Sequence, residues 1–199
     1  IVDLLYSQSN IKEIMKQENF SSFRFDYYTD SYIEETTNLS PRANIERVVA
    51  NCKEFIQGFD TTYGNLLLYG NAGVGKTFLA NCIAKELLDS SHMVIYLTAF
   101  QLFDILAKNK FNKDQEKEEA NEQFEYILDC DLLIIDDLGT ESMNSMKFTS
   151  SEIDLAKQFI NSLLDLNAAS ETSLNDICIH TDGYDTIVDE LEFNSTDDG

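Results

Sequence analysis

The sequence predicts an α/β fold, a parallel central sheet with helices packed on both faces. Three observations lead there. Short apolar runs at 65–69, 93–97 and 131–137 have the length and continuity of strands buried on both sides. Segments with apolar residues every three or four positions, the mark of helices, alternate with them. Between the first strand and its helix lie Gly70-Asn71-Ala72-Gly73-Val74-Gly75-Lys76-Thr77, which match G-x-x-x-x-G-K-[ST], the phosphate-binding P-loop.

In chain order, residues 1–20 read as a short amphipathic helix or a linker, with Ile11, Ile14 and Met15 on one side. An aromatic cluster follows, Phe20, Phe23, Phe25, Tyr27 and Tyr28, which either packs on the edge of the core or meets a nucleotide base. Ser40-Pro41 opens a helix with the serine as N-cap and the proline in the first turn. Ile45, Val48, Val49, Cys52 and Ile56 form its apolar stripe and Gly58 ends it. After the strand Asn65–Tyr69 and the loop, a helix from Phe78 to Leu88 stacks Leu79, Ile83 and Leu87 on one face. Met93–Leu97 is the next strand, and Phe100, Leu102, Phe103, Ile105 and Leu106 mark the helix after it. Lys108 to Asn121 is charged and polar, and a loop is preferred there over a solvated helix; Phe124, Ile127 and Leu128 resume a helix. Asp131–Asp137 is a buried strand expected beside the first. Thr149-Ser150-Ser151-Glu152 fits a capping box that starts a helix to about Leu166, with Ile153, Ala156, Ile160, Leu163 and Leu164 inward. The expected division is an N-terminal linker or helix at 1–20, a core at 21–170 and an acidic C-terminal segment at 171–199.

The chemistry follows from two segments. Glycines at 70, 73 and 75 let backbone N–H groups curl around an anion without Cβ clashes. The helix N-terminus adds about half a positive charge aimed at the same point. Gly70, Asn71, Ala72, Gly73, Val74, Gly75, Lys76, Thr77 and Phe78 are therefore the candidate nucleotide contacts, with Lys76 reaching the β- and γ-phosphates and Thr77 Oγ on Mg²⁺. Leu132-Leu133-Ile134-Ile135-Asp136-Asp137 reads as a Walker B strand. Asp136 would orient Mg²⁺ opposite Thr77, and Asp137 would orient, or take a proton from, the water attacking the γ-phosphate. Lys76, Asp136 and Asp137 are thus the catalytic candidates, and ATP and Mg²⁺ the expected cofactors.

Composition narrows the function classes. The chain has 199 residues, 43% of them hydrophobic, and no run approaching the ~20 apolar residues of a membrane span. It has no basic leader followed by an apolar stretch, and opens on Ile1 rather than methionine, as a piece of a longer chain would. Four cysteines without C-x-x-C spacing and two histidines argue against a metal cluster and fit a reducing cytoplasm. Cys52 and Cys82 read as small core residues. The net charge is −22, and residues 151–199 hold 12 of the 36 acids but a single base, Lys157. Such acidity opposes tight nucleic-acid binding through bulk charge and favours a basic protein partner. In the acidic tail a solvated charge run is preferred over a calcium loop.

The P-loop with its helix, Gly70 to Ala84, resembles that of the DnaC/DnaI-type bacterial helicase loaders, AAA+ ATPases related to the transposition helper IstB. Leu132 to Glu141 is similar to their Walker B strand and following turn, and Phe23 to Tyr28 to the segment leading into their core. The resemblance covers roughly 20–150. It implies an AAA+ fold, ATP and Mg²⁺ binding, assembly into a homo-oligomeric ring or helix, and delivery of the replicative, DnaB-type helicase onto single-stranded DNA. The acidity here predicts that DNA affinity is weak. The nearest rival role is that of the transposition helper; a nucleotide-gated adaptor with little hydrolysis is a further one. The family's sensor strand falls either near Asn167–Thr172, with Ser173–Ile177 as the short helix after it, or at Ile177–His180, with Thr181 or Asp182 as the sensor. No arginine follows Arg47, so the usual arginine finger has no counterpart and turnover by the isolated chain should be slow. His180 reads as a structural or surface histidine rather than a base.

Overall fold

The computed structural model describes residues 11–35, 37–62, 64–111, 115–138, 150–169 and 176–181, with backbone alone at 11–13, 111, 115–117, 150, 153, 163–169 and 176–181. In chain order it comprises α1 (Ile11–Gln17), a 3-10 turn (Phe25–Tyr27), α2 (Pro41–Gly58), β1 (Asn65–Tyr69), α3 (Lys76–Asp89), β2 (Val94–Thr98), α4 (Ala99–Phe111), α5 (Gln115–Asp129), β3 (Leu132–Leu138), α6 (Ser150–Ala169) and β4 (Asp176–Thr181).

The strands form one parallel sheet in the order β1-β4-β3-β2. Side-chain alternation along the strands feeds two apolar layers. Val94, Leu132 and Ile134 face α3, where Leu79, Ile83 and Leu87 are buried together with Ile45, Val49 and Cys52 of α2 and Met15 of α1. Ile95, Leu97, Leu133 and Ile135 face the other way, onto Leu102 and Phe103 of α4, Ile127 of α5, and Ala156 and Ile160 of α6. Helices therefore cover both faces, the three-layer α/β arrangement expected.

Several elements start where local chemistry dictates. Ser40 Oγ accepts from the Ala43 N–H at 3.1 Å, and Pro41 needs no partner at the first position of α2. The helix ends at Gly58 as expected, but Phe59 after it is right-handed and Gly58 has no positive φ, so the glycine does not act as a left-handed cap. The N-terminal helix is tied to the core: Asn81 Nδ2 on α3 donates to Glu18 Oε2 at 2.5 Å.

Four expectations need correction. Asp131–Asp137 does not lie beside the first strand, because β4 separates β1 from β3, with Leu67 and Ile135 both in register with Ile179. Strand order is set by which apolar runs find each other in three dimensions, and local pattern carries none of that. The sensor strand is not at 167–172, since α6 runs through Ala169 and that stretch has no β-branched run to favour extension. The alternative at Ile177–His180 is the strand. Lys108 to Asn121 is helical in α4 and α5 apart from 112–114, which lie outside the described residues. Its Glu, Gln and Lys residues are good helix formers, and Ala120 gives α5 a buried position. Finally, a core ending at residue 170 omits a strand that the sheet contains.

Candidate nucleotide site

The loop is built by its glycines. Between β1 and α3 the chain takes positive φ at Gly70 (142°), Gly73 (77°) and Gly75 (98°), conformations that side-chain-bearing residues rarely adopt. Gly75 is the N-cap of α3, so the helix starts at Lys76, two residues earlier than the apolar pattern alone marks it. The first-turn amides of α3 have no intrahelical acceptors and point out of the helix end. The Lys76 side chain, 6% exposed, lies back across the turn, and its Nζ donates to Gly70 O and Asn71 O, each at 2.8 Å. Asn71, Ala72, Gly73 and Val74 are exposed, as is Thr77 in the first turn; Phe78 is half-buried with its ring edge against Phe23 at 5.4 Å.

Asp136 follows Leu132 and Ile134 on the α3 side of the sheet and is 6% exposed. Its Oδ2 accepts from Tyr96 Oη at 2.6 Å, a short charge-assisted bond from the neighbouring strand, and its Oδ1 accepts from the Asp137 N–H at 2.9 Å. The register then slips: Ile135 pairs with Ile179 but Leu138 with Thr181, three steps on β3 against two on β4. Asp137 takes a φ of 58° at this bulge. Strict alternation would have turned Asp137 into the apolar layer with Leu133 and Ile135. The extra residue gives that inward place to Leu138 and leaves Asp137 half-buried at the carboxyl end of the sheet.

Thr181 pairs with both Tyr69 and Leu138. Its backbone therefore stands between the strand end that leads into the loop and the strand end that carries the acids. The alternative Asp182 lies outside the described residues, as do the side chain of His180, the turn after β3 and the Thr149 cap.

Two residues were missed from sequence. Tyr96 was visible only as a strand residue, and nothing in the period of β2 points its hydroxyl at an acid 40 residues away. Tyr28 belongs to the aromatic cluster, whose alternatives were core packing and base contact. Phe23 and Phe25 pack edge to face at 5.0 Å on the α3 layer, and Tyr28 Oη donates to Val74 O in the loop at 2.9 Å.

The groups present fit a nucleotide and a hard divalent ion. The loop offers main-chain donors and an ammonium group, while Thr77 and Asp136 offer oxygen donors of the kind Mg²⁺ takes. Among the described residues no cluster of three or more His, Cys, Asp or Glu forms a resident metal centre, and no helix is long and apolar enough to cross a membrane.

Comparison with known proteins bears on the fold and the family. The replicative helicase loader DnaI of Bacillus subtilis (strain 168) is 30% identical over 96 residues, covering 46% of this chain and 29% of its own length. The chromosomal replication initiator DnaA of Aliarcobacter butzleri (strain RM4018) is 25% identical over 176 residues, 85% of this chain and 36% of that protein. The chain thus spans about a third of the length of these curated relatives. Among solved structures, AMPPCP-bound DnaA from Aquifex aeolicus superposes with a TM-score of 0.55 at 19% identity, covering 88% of this chain and 45% of that one. The DnaC helicase loader superposes with a TM-score of 0.53 at 19% identity, covering 85% and 78%. Both share the AAA+ P-loop fold. A family model for IstB-like ATP binding proteins matches residues 24–162, from the aromatic strap through both site strands into α6, and the chain belongs to that family.

Proposed function

We propose that this chain is a Mg²⁺-dependent ATPase acting as a helicase-loader-like replication factor. The observation that carries the reading is the placing of two elements at the same end of one parallel sheet: a glycine-built loop crossed by the Lys76 ammonium after β1, and Asp136 toward the carboxyl end of β3. In this reading the amides of 70–77 and Lys76 hold the phosphates of ATP. Thr77 and Asp136 would hold Mg²⁺, which when bound neutralises charge on the β- and γ-phosphates. Asp137 orients the attacking water or accepts its proton, and Tyr96 keeps the Asp136 carboxylate aimed. The relatives named for helicase loading and replication initiation support a replicative helicase as partner. The net charge of −22 supports a basic protein surface on that partner and weak, salt-sensitive affinity for single-stranded DNA.

One observation favours a second reading, a nucleotide-gated adaptor with little turnover. The three arginines are engaged locally, Arg24 with Asp26, Arg42 with Glu46 and Arg47 with Asn44. Residues 48–199 contain no arginine.

ATP affinity, measured for the parent and for Lys76→Ala, tests the site. The variant should bind at least about tenfold more weakly, the loss of a charge-assisted contact. Equal affinity would remove the assignment. Capture of replicative helicase that depends on ATP rather than ADP supports the loader role, and capture with no measurable hydrolysis supports the adaptor.

A further inference from the structure

The Val74–Gly75 peptide has two faces, and the structure holds one of them. Val74 lies between Gly73 and Gly75, both at positive φ, so neither neighbour carries a Cβ to oppose rotation of this peptide plane. In a trans peptide the C=O and the following N–H point in opposite directions. Tyr28 Oη donates to Val74 O at 2.9 Å from outside the loop. A Cβ on Gly75 would come within 2.8 Å of the same hydroxyl, so the tyrosine lies hard against this peptide. With the carbonyl drawn outward, the Gly75 N–H is turned inward, toward the space that Lys76 borders.

The tyrosine is itself braced. Its ring stacks on Phe23 with centroids 6.0 Å apart and planes 12° from parallel, and Phe23 meets Phe78 in the first turn of α3. The hydroxyl is thus referenced to the helix whose start completes the loop. Burial pushes the Tyr28 phenol above its ordinary range, so it remains a donor at neutral and mildly alkaline pH.

We propose that Tyr28 is a positioning residue for phosphate binding: its hydroxyl locks the Val74–Gly75 peptide so that the Gly75 amide faces the phosphates. This rests on reading 70–77 as the phosphate cradle. It assigns the hydroxyl of the N-terminal aromatic strap to orientation of a main-chain donor rather than to contact with the base.

The test uses Tyr28→Phe, which keeps the ring and its stacking. Affinities for ATP, ADP and GTP are measured with Mg²⁺ present, alongside the thermal midpoint and the ¹H–¹⁵N resonance of the Gly75 amide without nucleotide. All three affinities should fall by the same factor, about fivefold for one lost orienting bond, with the midpoint unchanged and the Gly75 resonance shifted. Phe23→Leu, which keeps the hydroxyl but loosens the ring that braces it, should lose less than Tyr28→Phe does. Unchanged affinities in Tyr28→Phe, a loss that alters the ATP-to-GTP ratio, an unmoved Gly75 resonance, or an equal loss in Phe23→Leu would each overturn the proposal. Lys76→Ala separates the two levels. If it too binds normally, the cradle reading has failed; if it loses binding while Tyr28→Phe does not, only the role of Tyr28 has failed.

Discussion

Cys52 on α2 and Cys82 on α3 are fully buried, Cys52 in the apolar layer against α3. Burial pushes the Cys52 thiol from its ordinary 9.0 up to about 11. Burial, then the neighbouring Cys52, Glu18 and Glu86, push Cys82 up to about 12. Both thiols are neutral when protonated, and the folded state holds their protons more tightly than the unfolded chain does. The stability linked to them is therefore fully present below about pH 9 and is lost as pH rises toward 11 and 12. Comparison of the parent with a Cys52→Ala, Cys82→Ala variant should show a gap in thermal midpoint at pH 7 that narrows above about pH 9. A gap independent of pH would mean that other groups govern alkaline unfolding. The same burial makes these thiols inert, in keeping with small core residues rather than ligands or nucleophiles.

At the scale of the element, β3 shows how a strand carries two acids out of an apolar core. Its bulge lets four consecutive apolar residues fill both layers, buries Asp136 against Tyr96, and turns Asp137 aside. Aspartate and asparagine tolerate a φ of 58°, whereas a β-branched residue does not. Asp137→Val should therefore cost about 1–2 kcal/mol in denaturant unfolding while Asp137→Asn costs under about 0.5. Similar losses in both would mean that the backbone there is relaxed. Much of this level was legible in the sequence. The bounds of β1 and α2 follow from an apolar run ending in glycine and from Ser40-Pro41, both signals confined to a few residues. The loop and the Asp136 strand carry compositional signatures of the same local kind. The bulge and the Tyr96 and Tyr28 hydroxyls were not legible, because each depends on a partner that is remote in sequence. Pairings 40 and 46 residues apart leave no periodicity to read.

For the molecule as a whole, sheet order governs how the site is held together. β1 carries the loop and β3 the acids, yet within the sheet they are joined through β4, whose Thr181 is in register with the ends of both. A variant ending at residue 170 should lose nucleotide affinity and cooperative thermal unfolding together, whereas one ending at 184 should keep both, measured by nucleotide titration and melting curves. Retained binding in the shorter variant would show that the two halves find each other without the middle strand. The arrangement also bears on biosynthesis. During translation the phosphate loop leaves the ribosome about a hundred residues ahead of the strand that joins its own to the acids. A nascent chain can therefore curl its loop early, but it acquires both halves of the site in one sheet only after residue 181 has cleared the exit tunnel.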